Sequence, residues 1–315
     1  MDELTAQITE RAIKIGGGEQ VAAILARPVE DTSLPAIVIL NTGVAHRVGH
    51  HRKFVTLSRR LANNGHIVVR FDFPGLGDSP AMTGEDTLLD TNMASIRDVL
   101  DWMDATLGRR RIVLLGLCSG ADQSIIYASR DPRVNGAILL DPSIPRTRRY
   151  YVNDLYKRLM RRSFWTNILS GRGRVWNKVR RVLHRQTGPQ MTLPGQFSRP
   201  NLEHPEAIAF LENVYQGAMD HHAELLAVFT AGPHYQHNYR RQIIDALPGV
   251  DFGDRLKLYF LKECDHTFLR EAQRERLYTI IADWLAQRFP ALEEVRVDVG
   301  QTEETGDPDM EIEEF

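Results

Sequence analysis

Apolar and polar positions along the chain follow two periods that take turns. Residues 8–15 and 21–27 are β-rich runs separated by Gly16, Gly17 and Gly18, which predicts an N-terminal hairpin. Residues 35–40, Pro-Ala-Ile-Val-Ile-Leu, are almost continuously apolar, as in a strand buried on both faces. The helical period comes next: Phe54, Leu57 and Leu61 share a face within 54–64, and Gly65 is a natural stop. Residues 66–71 predict another strand. Over 88–107, Met93, Ile96, Leu100, Met103 and Leu107 recur at helical spacing, closed by Gly108. A strand at 111–117, a helix at 121–129 and a strand at 134–140 continue the alternation.

The alternation breaks between residue 143 and about residue 221, an Arg- and aromatic-rich stretch with no clear strand. Its spacing predicts helices at 150–159, 164–169, 175–183 and 205–216. Strand–helix alternation resumes with 225–229, 238–247, 256–261 and 270–289, and no internal repeat is evident. The expected architecture is a mostly parallel sheet with helices on both faces. Residues 1–142 and 221–291 form its core, 143–220 a basic helical insertion, and 292–315 an acidic disordered tail. Such sheets place their chemistry at the carboxyl ends of the strands.

Composition narrows this little. The chain has 315 residues, is 43% hydrophobic and 25% charged, and carries a net charge of -2, which excludes a disordered chain or a small disulfide scaffold. No apolar run approaches the ~20 residues that cross a bilayer. The first residues have neither a basic start nor an apolar segment, so no signal peptide is expected. The two cysteines, Cys118 and Cys264, suggest a reducing compartment, and the expected location is cytoplasmic. Charge is more informative along the chain than in total. Residues 143–200 hold 14 Lys and Arg against one acid, Asp154, whereas residues 292–315 hold ten acids against one Arg. A nucleic-acid partner is not expected. An anionic substrate, or an acidic carrier protein, fits the basic insertion.

The sharpest chemical signal is Gly116-Leu117-Cys118-Ser119-Gly120 after the strand residues 111–115. It has the form G-x-nucleophile-x-G with Cys in the place of Ser. Such a nucleophile sits on a strained strand-to-helix turn, and the small residues two positions either side avoid clashes. Ser119 is the other nucleophile on offer, but its flanks at that distance are Leu117 and Ala121, so the glycine frame selects Cys118. The following helix N-terminus favours a thiolate. A base is expected after the last strand, where the sequence reads Cys264-Asp265-His266-Thr267-Phe268. Cys264 itself reads as a core residue at a strand end.

With Asn41-Thr42-Gly43-Val44 after 35–40 and Phe71-Asp72-Phe73-Pro74-Gly75-Leu76-Gly77-Asp78-Ser79 after 66–70, the chain from about 8 to 290 resembles the α/β-hydrolase superfamily. The stretches His46-Arg47-Val48-Gly49-His50-His51-Arg52, Asp131-Pro132-Arg133-Val134, Phe164-Trp165 and Asp265-His266-Thr267-Phe268 make it similar to a cysteine-elbow branch. That branch includes the exosortase A system-associated hydrolases. The resemblance implies an α/β-hydrolase fold with an inserted helical lid, Cys118 as nucleophile and His266 as base. It also implies an oxyanion hole from the amides of Val44 and Ser119.

The acid departs from the pattern. In this fold it usually follows the strand after the insertion, but Thr230-Ala231-Gly232-Pro233-His234 offers no carboxylate. Asp141, at the end of 134–140, is the next best place. Asp245, Asp251 and Asp254 are badly placed. A Cys–His pair without an acid is the remaining option, because a thiol ionises more readily than a hydroxyl.

The loop 46–52 should border the pocket, with Arg47 and His46 as contacts to substrate or, alternatively, as loop anchors. His46 and His50, four apart, have a metal-ligand spacing but no carboxylate or Cys close by in sequence, and neither a metal nor a cofactor is expected. Asp122 lies in the first turn of the helix after the elbow, where a negative charge suits the helix dipole. The expected activity is acyl hydrolysis of an ester or thioester through a thioester on Cys118. The alternatives are an acyltransferase that delivers the same acyl group to an alcohol or amine, and a non-catalytic binding protein on the same scaffold.

Overall fold

A computed structural model describes residues 8–16, 21–30, 32–81, 85–160, 202–231 and 237–291. Gly17 and Gly18, the helices expected at 164–169 and 175–183, the turn residues 232–236 and the acidic stretch 292–315 lie outside the described residues.

Eight strands form one sheet: β1 (Ile8–Ile15), β2 (Val21–Pro28), β3 (Ala36–Ile39), β4 (Val68–Phe71), β5 (Ile112–Leu117), β6 (Val134–Leu140), β7 (Glu224–Thr230) and β8 (Leu256–Leu261). Their spatial order is β1-β2-β4-β3-β5-β6-β7-β8. β1 and β2 form the expected antiparallel hairpin, β2 runs antiparallel to β4, and every later pairing is parallel. The continuous apolar runs have a simple cause. β3 and β5 are buried at every residue because helices cover both faces. Ala36, Val38 and Leu40 join the larger core on one face, and Ile37 and Ile39 the smaller core on the other. β1, at the edge, alternates instead and carries charge at Glu10, Arg11 and Lys14, which discourages pairing with another chain.

The helices are α1 (Lys53–Asn63), α2 (Leu88–Leu107), α3 (Ser119–Ala128), α4 (Arg148–Leu159), α5 (Pro205–Asp220), α6 (Gln242–Ala246) and α7 (Glu271–Arg288). α1 and α7 pack on the smaller core, and α2, α3, α5 and α6 on the larger. α2 has the bounds its apolar spacing predicts. The Asp90 amide donates to the Thr87 hydroxyl at its start, and Gly108, at φ 63°, closes it in the left-handed conformation. No helix among the described residues is long and apolar enough to cross a membrane.

The insertion leaves β6 on firm anchors. Ser143 donates from both its amide and its hydroxyl to the half-buried Asp122 carboxylate, at 2.7 and 2.6 Å. Asn238 donates to the Tyr150 carbonyl and Gln242 to the Pro145 carbonyl. α4 then exposes Tyr151, Val152, Leu155 and Tyr156. α5 behaves differently: Val214, Tyr215, Ala218 and Met219 enter the larger core. The α/β layer therefore resumes inside α5, ahead of the expected boundary at residue 221.

Candidate active site

Cys118 stands between β5 and α3 at φ 57° and ψ -120°. A non-glycine residue held at positive φ costs of order 1–3 kcal/mol and persists only where its surroundings dictate it. Here they do. The Cys118 amide donates to the Leu140 carbonyl of β6 at 2.8 Å, and its carbonyl accepts from the Asp122 amide at 3.0 Å. A Cβ on Gly116 would lie 2.2 Å from the Gly120 carbonyl oxygen, and one on Gly120 would lie 2.4 Å from the Asn41 carbonyl oxygen. The glycine frame read from the sequence is thus a steric requirement, with α3 pressed against the loop after β3.

That loop turns on residues 42–45, where the Ala45 amide donates to the Thr42 carbonyl at 2.8 Å. The Gly43 amide donates to the Ser119 hydroxyl at 2.7 Å, so the Ser119 side chain clamps the loop to the elbow. No described residue accepts from the Val44 amide, and the Val44 side chain is 90% exposed. The Ser119 amide opens α3, where an N–H has no acceptor within its own helix. Asn41 shapes the loop from beneath: its side chain donates to the Ala45 carbonyl and to Asp72, and accepts from the Phe73 amide.

Asp141 and His266 meet directly. His266 Nδ1 donates to Asp141 Oδ2 at 2.9 Å. Asp141, 5% exposed, also accepts from the Thr230 amide and the Thr230 hydroxyl, each at 2.6 Å. β6 and β7 are neighbours in register, Leu140 beside Val228, so the residue after β6 reaches the turn after β7. The missing carboxylate beyond Phe229 is thereby supplied from the adjacent strand. Burial works against the His266 imidazolium. Hydrogen bonds to Asp141 and Cys118, together with the Asp141 charge, outweigh it and raise the pKa from 6.5 to about 9. Cys264, two residues away, is buried, and burial together with Asp265 and Asp141 pushes its thiol up to about 11.

Arg47 and His46 lie beside this centre in a network of their own. The Arg47 guanidinium pairs with both Asp72 and Asp78, and the Arg47 amide donates to Asp72 at 2.6 Å. The Ser79 hydroxyl donates to the Asp72 carbonyl. Arg47 thus ties the loop after β3 to the two carboxylates that follow β4. His46 Nε2 comes within 3.7 Å of Asp72 and 3.8 Å of Asp78. His46, Asp72 and Asp78 converge as metal ligands would, but the Arg47 guanidinium already bridges the two carboxylates. His50, the partner expected from spacing, is not in that group.

Two buried titratable groups near Asp141 escaped the sequence reading. Lys53 shows a signal in retrospect, since it stands four and eight residues before Leu57 and Leu61, on the buried face of α1. His237 comes from a segment with no regular period. It stacks on Phe229 with ring centroids 4.2 Å apart.

The sequence matches the model of the alpha/beta hydrolase fold family over residues 35–200, and the chain belongs to that family. Solved structures agree on the fold. A putative dienelactone hydrolase from Klebsiella pneumoniae subsp. pneumoniae aligns with a TM-score of 0.55 at 15% identity, over 89% of this chain and 99% of its own. The Pyrococcus furiosus esterase Pf2001 aligns with a TM-score of 0.54 at 12% identity, over 90% and 93%. XC6422 from Xanthomonas campestris, described as an a/b serine hydrolase without lid, aligns with a TM-score of 0.53 at 14% identity, over 90% and 96%. No curated protein matches the chain.

Proposed function

We propose that the protein is an acyl hydrolase of the esterase or thioesterase type. It works through a thioester on Cys118, as the cysteine-elbow branch its motifs resemble would imply. The observation that carries this reading is the imidazole of His266, bonded on Nδ1 to Asp141 at 2.9 Å and hydrogen-bonded as well to the Cys118 thiol. The pKa of about 9 supports a His266 imidazole that readily holds a proton.

In the first half-reaction the Cys118 proton resides on His266 Nε2 and the sulfur bonds to the substrate carbonyl carbon. The carbonyl oxygen takes the negative charge beside the amides of Val44 and Ser119. Loss of one such donor typically costs ~10²–10³ in rate. The bond from carbon to the leaving oxygen or sulfur then breaks, and His266 returns its proton to the leaving group. In the second half-reaction water gives a proton to His266 as its oxygen attacks the thioester. The carbon–sulfur bond breaks, the acid departs, and the thiolate–imidazolium pair is restored. Asp141 holds the ring in the tautomer that leaves Nε2 facing the sulfur. The Asp141–His266 bond supplies a carboxylate where the turn after β7 has none, which weighs against a merely binding protein.

Intact-mass analysis of acid-quenched reactions with p-nitrophenyl butyrate tests the reading. The expected result is a butyryl adduct on Cys118, a burst of nitrophenolate, and free butyrate as product. Absence of a Cys118 adduct and of Cys118-dependent turnover would overturn it. Butyryl transfer to added alcohols or amines in preference to water would replace hydrolase by acyltransferase.

A further inference from the structure

The mechanism above uses one cationic side chain, His266, yet a second lies buried against the loop that carries it. Lys53 opens α1 and is 1% exposed. Among the described residues its Nζ has no hydrogen-bond partner. An ammonium in that state is costly, because burial without a partner disfavours charge. Its surroundings are nonetheless built for a cation. Nζ lies 5.2 Å from the ring centre of Phe54 and 5.7 Å from that of Phe268. Phe268 is fully buried, stands at φ 53°, and belongs to the loop that carries His266. The Lys53 carbonyl accepts from the Tyr278 hydroxyl of α7 at 3.1 Å, which fixes the backbone. The approach to Lys53 is strained as well. His51 and Arg52 both have positive φ, at 54° and 56°.

We propose that Lys53 is a positioning residue of the Cys118, His266 and Asp141 set, a buried ammonium against the His266 loop that acts through space on Asp141, and through Asp141 on His266, and so sets the pH range in which the thiol–imidazole pair is ready to react. The inference rests on the reading of Cys118 as nucleophile. The groups that face Lys53 are the Asp141 carboxylate at the end of β6, Asp265 in the His266 loop, Arg274 of α7 and His50 before α1. Burial lowers the Lys53 pKa and Arg274 opposes its charge. Asp141 and Asp265 favour the charge, and the balance falls at about 8. His266 is faced by Asp141 and Cys118, and its charge is felt at His50 and at His237. His237 is held by burial at about 4, so it is neutral where the enzyme works and Lys53 supplies the nearby positive charge.

The direction of the effect follows from the sign of that charge. A cation favours the Cys118 thiolate and disfavours the His266 imidazolium, so it lowers both apparent pKa values of the pair. Lys53→Met keeps the length and the apolar contacts and removes the charge. Alkylation of Cys118 by iodoacetamide, followed by peptide mass spectrometry across pH, reads both values without a substrate. Both limbs should move up by ~0.5–1 pH unit in Lys53→Met. A purely structural lysine would change the melting temperature and leave the limbs in place, and that result in a folded variant overturns the proposal. If wild-type Cys118 is alkylated no faster than a free thiol, the nucleophile reading fails instead. A second measurement needs no variant. The chain has six lysines, so the ε-carbon signals of ¹³C-lysine-labelled protein can be resolved. One should titrate with a midpoint near 8 and move when Cys118 is alkylated. Six lysines that all titrate as exposed amines would overturn the proposal even if Lys53→Met does not fold.

Discussion

Replacing Asp141 by Asn tests the centre of the mechanism. In the wild type, Oδ1 accepts from the Thr230 amide, and Oδ2 accepts from both the Thr230 hydroxyl and His266 Nδ1. An Asn side chain has one acceptor and one donor in the same places. If its oxygen stays with the Thr230 amide, its NH₂ faces His266 Nδ1, which must then lose its proton. The ring proton moves to Nε2, and the base faces Cys118 in the wrong tautomer. If the amide flips, its NH₂ meets the Thr230 N–H and leaves a buried donor unpaired, at ~1–3 kcal/mol. Either way the imidazolium loses its carboxylate. The rise from 6.5 to about 9 corresponds to ~3 kcal/mol in favour of the charged ring. Because the folded pKa is the higher, that contribution to stability is complete below pH 6.5 and is lost as pH rises through 9. In Asp141→Asn the opposing burial remains, so the His266 pKa should fall to its ordinary value or below. We expect kcat/KM for p-nitrophenyl butyrate to fall ~10²–10⁴-fold. We also expect the extra stability of the wild type, measured by urea unfolding between pH 6 and 9.5, to disappear. A folded variant that keeps kcat/KM within about threefold, with an unchanged pH profile, would refute the assignment of Asp141.

Four further outcomes follow from the same geometry. Cys118→Ser should lose at least ~10² in kcat, because a hydroxyl needs more help from the base than a thiol does, and activity equal to the parent would remove Cys118 from the mechanism. Gly120→Ala places a Cβ 2.4 Å from the Asn41 carbonyl and should lower the melting temperature while it pushes the Val44 loop away from the elbow. An unchanged melt with unchanged kcat would contradict the close approach. Asp72→Asn leaves the half-buried Arg47 with only the exposed Asp78 and should destabilise by ~1–3 kcal/mol in urea titrations, with a wild-type midpoint as the contrary result. Binding of an acidic carrier protein through the basic segment 143–200 should weaken steeply between 50 and 500 mM salt, about as the Debye length shortens, and salt-independent binding would count against that partner.

The sheet was legible because its central strands have both faces covered. Residues 134–140 could be bounded from apolar content alone, and β6 has those bounds; the edge strand β8 also keeps its expected bounds, 256–261, although it is only partly buried. Errors gathered where tertiary contacts overrule local preference. α3 begins at Ser119, two residues before the sequence suggests, because the elbow fixes the helix start immediately after Cys118. The helix expected over 238–247 shrinks to Gln242–Ala246, since Asn238 and Tyr239 are bonded to the foot of the insertion at Tyr150 and Thr147. Cys118 and His266 were legible from motif and position. Asp141 could be named only as the next best place for an acid, with no acid at all as the other option, because which carboxylate reaches His266 depends on which strand lies beside β7, and strand order is not written in the spacing of residues.

The contrast between Asp72 and Asp141 shows why burial of a carboxylate does not by itself mark a catalytic acid. Both are almost inaccessible and both accept several hydrogen bonds. Asp72 is paired with the Arg47 guanidinium, so its charge is spent within the pair and it acts as a loop anchor. Asp141 receives two bonds from Thr230, which is neutral, and its third from His266. Its charge is therefore directed at the His266 ring to which it is hydrogen-bonded. Lys53 fits the same distinction, since a hydrogen-bonded ion pair with Asp141 would have quenched that charge as Arg47 quenches Asp72. Held at a distance against Phe54 and Phe268, the ammonium moderates the carboxylate and leaves it available to the imidazole.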